Sequence, residues 1–173
     1  MASSIPAARA NLHSMLVEAF ADVPTITPDQ DAVQVTYGPP VAHTEEHEVV
    51  AILGVSNIGS EDVTVGGSRQ EETYSVECAV KVWDPTCDGS TEELKELDQQ
   101  AWGHYEAVRA AVQADRTLGG ALPSGWATVA VASADAGGSG MSPVPVGGED
   151  EDRPGMGWMA LVNFEVQCRA RIT

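Results

Sequence analysis

Two histidines and a glutamate at the spacing H-x-x-E-H, namely His43, Glu46 and His47 within VAHTEEHEVV, are the side chains of this 173-residue chain that come closest to a catalytic metal centre. On one face of a helix the two imidazoles would hold zinc and the adjacent glutamate would act as base, the chemistry of a metallopeptidase. The flanking residues argue against that helix. Pro39 and Pro40 precede the stretch, and the β-type run Val49-Val50-Ala51-Ile52 follows it. At strand spacing His43, Glu45 and His47 share one face while Glu46 points to the other. No downstream helix offers an obvious third ligand. The expectation is an acidic loop feeding a buried strand, in which Glu45, Glu46 and Glu48 add to a negative field, with no metal or other cofactor.

Other reactive constellations are no better supported. GGSGMS (137–142) has the composition of a nucleophile elbow but no following helix, and reads as a linker. GGSR and GSGM lack the lysine and the strand-to-helix setting of a phosphate loop. Cys78, Cys87 and Cys168 form no C-x-x-C pair. Cys78 and Cys168 fall in apolar alternations, where a thiol is a small core side chain, and a reducing setting suits all three. Cys87 falls in a loop, within reach of solvent. GGEDEDRPG places Glu149, Asp150, Glu151 and Asp152 in a row, without the alternation a calcium loop requires. That run reads as a solvated loop, or one that touches a partner or faces a lumen. His13 and His104 fall near or on helices and read as packed or exposed rather than as ligands. No catalytic residue is assigned, and the chain is read as a non-enzyme.

The elements that must position these groups follow from periodicity. Ala8, Leu12, Met15, Leu16, Ala19 and Phe20 recur at helical spacing and predict a helix over about 6–21, with Ser3 or Ser4 as its cap. Strands are predicted over 32–38 and about 48–57. A Gly-rich connection, IGSEDVTVGGS, leads to the alternating strand RQEETYSVECAVKVWD. Ser90 and Glu93 make a capping box for a second helix over about 91–114, whose buried stripe is Leu94, Leu97, Ala101, Tyr105, Val108 and Val112. A strand over 126–134, an acidic Gly/Pro loop over about 135–155 that is expected to be flexible, and a last strand over 156–173 complete the chain. The order α-β-β-β-α-β-β predicts one α+β domain over 1–173. It is a mainly antiparallel sheet of about five strands with two helices on one face. The uncovered face then carries Glu77, Lys81, Glu165, Arg169 and Arg171, which are candidates for contact with a neighbouring subunit.

Composition limits the partners. Nine Lys and Arg against 26 Asp and Glu give a formal charge of −17. Such a field repels nucleic acid, so DNA binding is not expected, although DNA can pass nearby without sticking. Arg9, His13 and Glu18 interrupt the N-terminal apolar residues, so no export signal is expected, and no stretch approaches the ~18 apolar residues of a membrane span.

Four strings, taken in order, resemble the tail terminator (minor tail, tail-completion) proteins of siphophages, particularly those of actinobacteria. They are VTYGPP, RQEETYSVECAVKVWD, the helix end YEAVRAAVQADRTLGG and the terminal strand VNFEVQCRARIT, together spanning roughly 35–173. Arg116 stands where a proline is usual in that pattern. The 135–155 insertion is individual to this chain. The resemblance implies a non-enzymatic assembly protein: a homo-hexameric ring that caps the tail tube, ends polymerisation of the tube protein and offers a docking surface to the head-completion (connector) protein. It further implies location in the virion at the head–tail junction, and in the host cytoplasm during assembly. Another neck or tail-tube component, or the metallopeptidase, are the alternatives.

Overall fold

A computed structural model describes residues 3–26, 30–39, 47–62, 70–122, 124–132, 139–146 and 155–172. The element order is α1 (Ile5–Phe20), β1 (Gln34–Tyr37), β2 (Glu48–Asp62), β3 (Gln70–Asp84), α2 (Thr91–Ala114), β4 (Trp126–Val131), β5 (Gly140–Val146) and β6 (Gly155–Ile172). The fold is α+β: two helices and a mainly antiparallel sheet ordered β1-β2-β3-β6-β4, with β5 added to β6.

The core lies between the helices and one sheet face. On α1, Ala8, Leu12, Leu16 and Phe20 are buried at every fourth position. On α2 the buried stripe is Leu97, Ala101, His104, Tyr105, Val108 and Val112. They meet Val50, Ile52, Tyr74, Val76, Cys78, Val80, Val82, Ala160, Val162, Phe164, Val166 and Cys168. Aligned rows of β3 and β6, Tyr74↔Cys168, Val76↔Val166, Cys78↔Phe164 and Val80↔Val162, supply its centre.

Several elements differ from expectation for identifiable reasons. β1 and β2 pair in parallel, Gln34↔Val49 through Tyr37↔Ile52, where strands adjacent in sequence favour antiparallel pairing. β2 runs on to Asp62 through the stretch expected to be a connection. Irregularities at Ile52/Gly54 and Ser56/Gly59, with Asn57 at φ 53°, absorb the mismatch with β3. Residues 140–146, inside the stretch expected to be a loop, form β5 along the part of β6 that β4 leaves open.

The caps also differ. Of the two serines expected to cap α1, Ser4 makes no side-chain cap bond, while Ser3 Oγ accepts from the Ile5 N–H at 3.2 Å. At α2, Ser90 Oγ accepts from Glu93 N–H at 3.4 Å, but the Glu93 carboxylate accepts from Asp88 N–H rather than closing the box. After α2, the Asp115 carboxylate accepts from the Thr117 N–H and hydroxyl and from Gly119 N–H. That turn lets Leu118 adopt φ 50° and bury its side chain, which gives the D-x-T-L-G-G string a structural role.

Candidate functional site

The sheet face away from the helices collects the candidate contact residues. Its β3–β6 rows are Glu71↔Arg171, Thr73↔Arg169, Ser75↔Gln167, Glu77↔Glu165, Ala79↔Asn163 and Lys81↔Leu161. All five predicted face residues, Glu77, Lys81, Glu165, Arg169 and Arg171, therefore lie on one surface. Register explains it, since alternate residues of two unbroken strands share a face.

Within this face the charges are organised by Glu71, a residue sequence reasoning did not select. Arg169 Nη2 is 2.6 Å from Glu71 Oε1 and Arg171 Nε is 3.6 Å from Glu71 Oε2. The hydrogen bond from Arg169 holds the Glu71 carboxyl below the ordinary carboxylate range, with Arg171 adding to it. Both arginines remain about half exposed. Further along, Glu77 and Glu165 are directly opposite, a like-charge pair that makes the middle of the face acidic. Across the strands from β2 to β4, Asn57, Glu71, Thr73, Ser75, Trp126 and Arg169 line an open groove of about 490 Å³.

The covered face holds two carboxylates that the sequence reading missed or misplaced. Glu48 was expected to add to the acidic exterior. It is instead fully buried, because it precedes Val50 and Ile52 in the inward alternation of β2. Its Oε2 accepts from His104 Nε2 at 2.6 Å and from Gln100 Nε2 at 3.1 Å, while Oε1 accepts from Ile26 N–H at 2.6 Å. Burial alone would raise the Glu48 pKa, but these hydrogen bonds, led by His104, outweigh it and lower it. His104 is packed, edge-on to Phe20.

Glu72 closes the start of α1. Its Oε2 accepts from the Ser4 N–H at 2.8 Å and the Ser4 hydroxyl at 2.6 Å, and Oε1 from the Ser3 hydroxyl at 2.6 Å. Burial pushes this carboxyl up, and the serine hydroxyls and amide more than reverse the push. A carboxylate at a helix N-terminus meets both unpaired N–H groups and the positive end of the helix dipole.

The H-x-x-E-H stretch is described only at His47. That residue immediately precedes β2, donates its N–H to Gln30 Oε1 at 2.6 Å and packs edge-on to Trp83 at 5.1 Å. His43 and Glu46 lie outside the described residues, as do Glu149, Asp150, Glu151 and Asp152. Among the described residues no three His, Cys, Asp or Glu side chains are grouped to hold a metal ion. Cys87, placed by sequence in a loop within reach of solvent, is buried. The Asp84 and Asp88 side chains accept from Thr86 N–H and Ser90 N–H and fold that loop inward. Burial pushes up the thiols of Cys78, Cys87 and Cys168, the last to about 12, which suits packing rather than nucleophilic chemistry. No helix among the described residues is long and apolar enough to cross a membrane.

No known protein-family model matches this chain, and no curated protein matches it.

Proposed function

We propose that this protein is a siphophage tail terminator: a structural subunit that assembles with copies of itself into a ring, six in number by the resemblance, on the end of the tail tube. The ring ends addition of tube protein and receives the head-completion protein. Its place is the virion at the head–tail junction, reached from the host cytoplasm. The reading assigns the chain no catalysis and no cofactor. Glu77, Lys81, Glu165, Arg169 and Arg171 belong to its assembly surface, and the run Glu149–Asp152 is assigned to contact with a partner or the lumen.

One observation carries the reading furthest. The strings that resemble tail terminators are scattered in sequence but gather in space, VTYGPP contributing β1, RQEETYSVECAVKVWD forming β3 and VNFEVQCRARIT forming the end of β6. The sheet they build is covered by helices on one side and carries mixed charge on the other, a surface suited to assembly. The net charge of −17 suits a passage through which DNA slides without adhering.

The test is to mix the protein with polymerising tail tube protein. A terminator shortens and caps tubes, and forms rings of about 110 kDa from six chains of 18.1 kDa. Incorporation along the tube would instead identify a tube component. No effect on tube length would overturn the reading.

A further inference from the structure

Among the described residues the sheet has two open edges, and the structure gives them different treatment. β4 and β5 lie end to end along one edge of β6. Ala132 N–H donates to Asn163 O at 3.0 Å, so on β6 the odd-numbered residues turn their backbone groups toward β4 and β5. Gly140↔Leu161 and Ser142↔Met159 are therefore the hydrogen-bonded rows of β5, and Pro143 and Pro145 turn their nitrogens outward. The free edge of β5 offers no N–H at those two positions, a device that blocks strand addition.

β4 carries no such block. Its sequence is WATVAV, without charge, proline or glycine. Ala127 N–H points away from β6 and is taken by Arg116 O at 2.8 Å. By alternation the N–H groups of Val129 and Val131 also point outward, and no strand covers them among the described residues. Trp126 and Val131, 43% and 44% exposed, mark the two ends of this edge.

The opposite edge of the sheet is its complement. Gly38 N–H donates inward to Ile52 O at 2.8 Å, so the backbone groups of Val35 and Tyr37 point outward. β1 is also uncharged, and Tyr37 is 51% exposed over the Arg9 guanidinium. Through the ladder β1-β2-β3-β6-β4, β1 and β4 run in opposite directions. Val35 and Val129 both pack toward the helices.

We propose that β4 of one copy pairs antiparallel with β1 of a second copy, Val129 opposite Tyr37 and Val131 opposite Val35. In that register each of the four residues finds a donor and an acceptor, the side chains fall on the helix side of both sheets, and an aromatic meets a β-branched residue across the joint. Two copies charged −17 repel each other, and an uncharged edge is where their approach costs least. Because the edges are unlike, the contact is head-to-tail and propagates into a ring or a filament rather than a two-fold dimer. The inference takes from the tail-terminator reading only that the partner is another copy. It adds which backbone groups join.

The experiment compares native mass across a concentration series for the full chain and for Val131→Pro and Val131→Lys. It also photo-crosslinks from a benzoylphenylalanine placed at Tyr37. Val131 is exposed and its N–H does not serve β6, so both variants should keep the far-ultraviolet spectrum of the parent. Val131→Pro should weaken self-association by about tenfold or more, the equivalent of one or two lost hydrogen bonds, and Val131→Lys, which keeps its N–H, should weaken it by placing a charge in the joint. Cross-links from position 37 should land on residues 126–131 of a second copy. A monomer at all concentrations, undiminished association of both variants, or cross-links elsewhere would overturn the edge pairing. A two-fold dimer cross-linked β4 to β4 would overturn it too. Rings that cap tubes but cross-link elsewhere leave the tail-terminator reading standing, whereas edge-paired oligomers that ignore tubes remove that reading and keep the joint.

Discussion

Glu71 and Glu72 are consecutive on β3, and the pleat sends the first carboxylate to the open face and the second toward α1. Glu71 is met by Arg169 and Arg171, whose heads stay half in water. Glu72 is met by neutral donors, two serine hydroxyls and a backbone amide, and is buried. Glu48 repeats the second pattern on β2, with an imidazole and an amide side chain from α2. On the covered face a carboxylate fastens one element to another, and its removal leaves unpaired groups in the core. On the open face the arginine heads stay half in water, where a partner can reach them.

The comparison breaks most sharply at Glu48. Replacing it by Ala takes the carboxylate away from buried His104 and from the partly buried Gln100 amide and Ile26 N–H. Each buried polar group left without a partner costs about 1–3 kcal/mol, so the combined loss is a large fraction of a domain's stability. Urea unfolding followed by circular dichroism should show the midpoint falling steeply. A change as small as that of a surface substitution would mean that water reaches this pair.

Glu72→Gln comes next. The amide keeps the shape of the carboxylate but loses its charge at the start of α1, and one of its ends presents donors to serine donors. About 1–3 kcal/mol of destabilisation is expected by urea unfolding. Acid should act through the same group in the parent protein. Glu48 and Glu72 both have folded-state pKa values below the ordinary 4.5, so their contribution is present above that value and fades as pH falls through the lower folded values. Stability measured from pH 7 downward should therefore hold until roughly pH 4.5 and then decline. The decline should be shallower in Glu72→Gln. An identical slope in both proteins would remove Glu72 from the account.

How much of this was legible follows the same division. The two-helix, antiparallel architecture and the membership of the open face could be read because they depend on alternation within one strand, as in Val76, Cys78, Val80 and Val82. Alternation also held the signal for the buried carboxylates: Glu48 is in phase with Val50 and Ile52, and Glu72 with Tyr74 and Val76. Glu48 reads as part of the acidic run ahead of β2 and Glu72 draws no role, since their partners, His104 and Ser4, are distant in sequence. Glu71 was invisible for a related reason, as its pairing with Arg169 and Arg171 depends on the register between β3 and β6. The extension of β2 was hidden by its glycines, which mark irregular pairing there rather than a loop.

The smallest effect on stability is expected on the open face, and there the measurement separates two uses of one charge cluster. Reversing Arg169 and Arg171 to Glu removes the partners of Glu71, but the arginine heads lie half in water, so urea unfolding should shift less than in Glu48→Ala or Glu72→Gln. Ring formation should weaken distinctly if the proposed assembly surface is correct, and added salt should narrow the gap to the parent by screening the altered field. Pairing Arg169→Glu with Glu71→Arg then restores a contact within the subunit while leaving the pattern of charge inverted. If the cluster serves only its own sheet, the double variant recovers both stability and assembly. If a neighbour reads it, stability returns while assembly stays weak. An assembly constant unmoved by any of these changes would show that neighbouring subunits do not meet this part of the face.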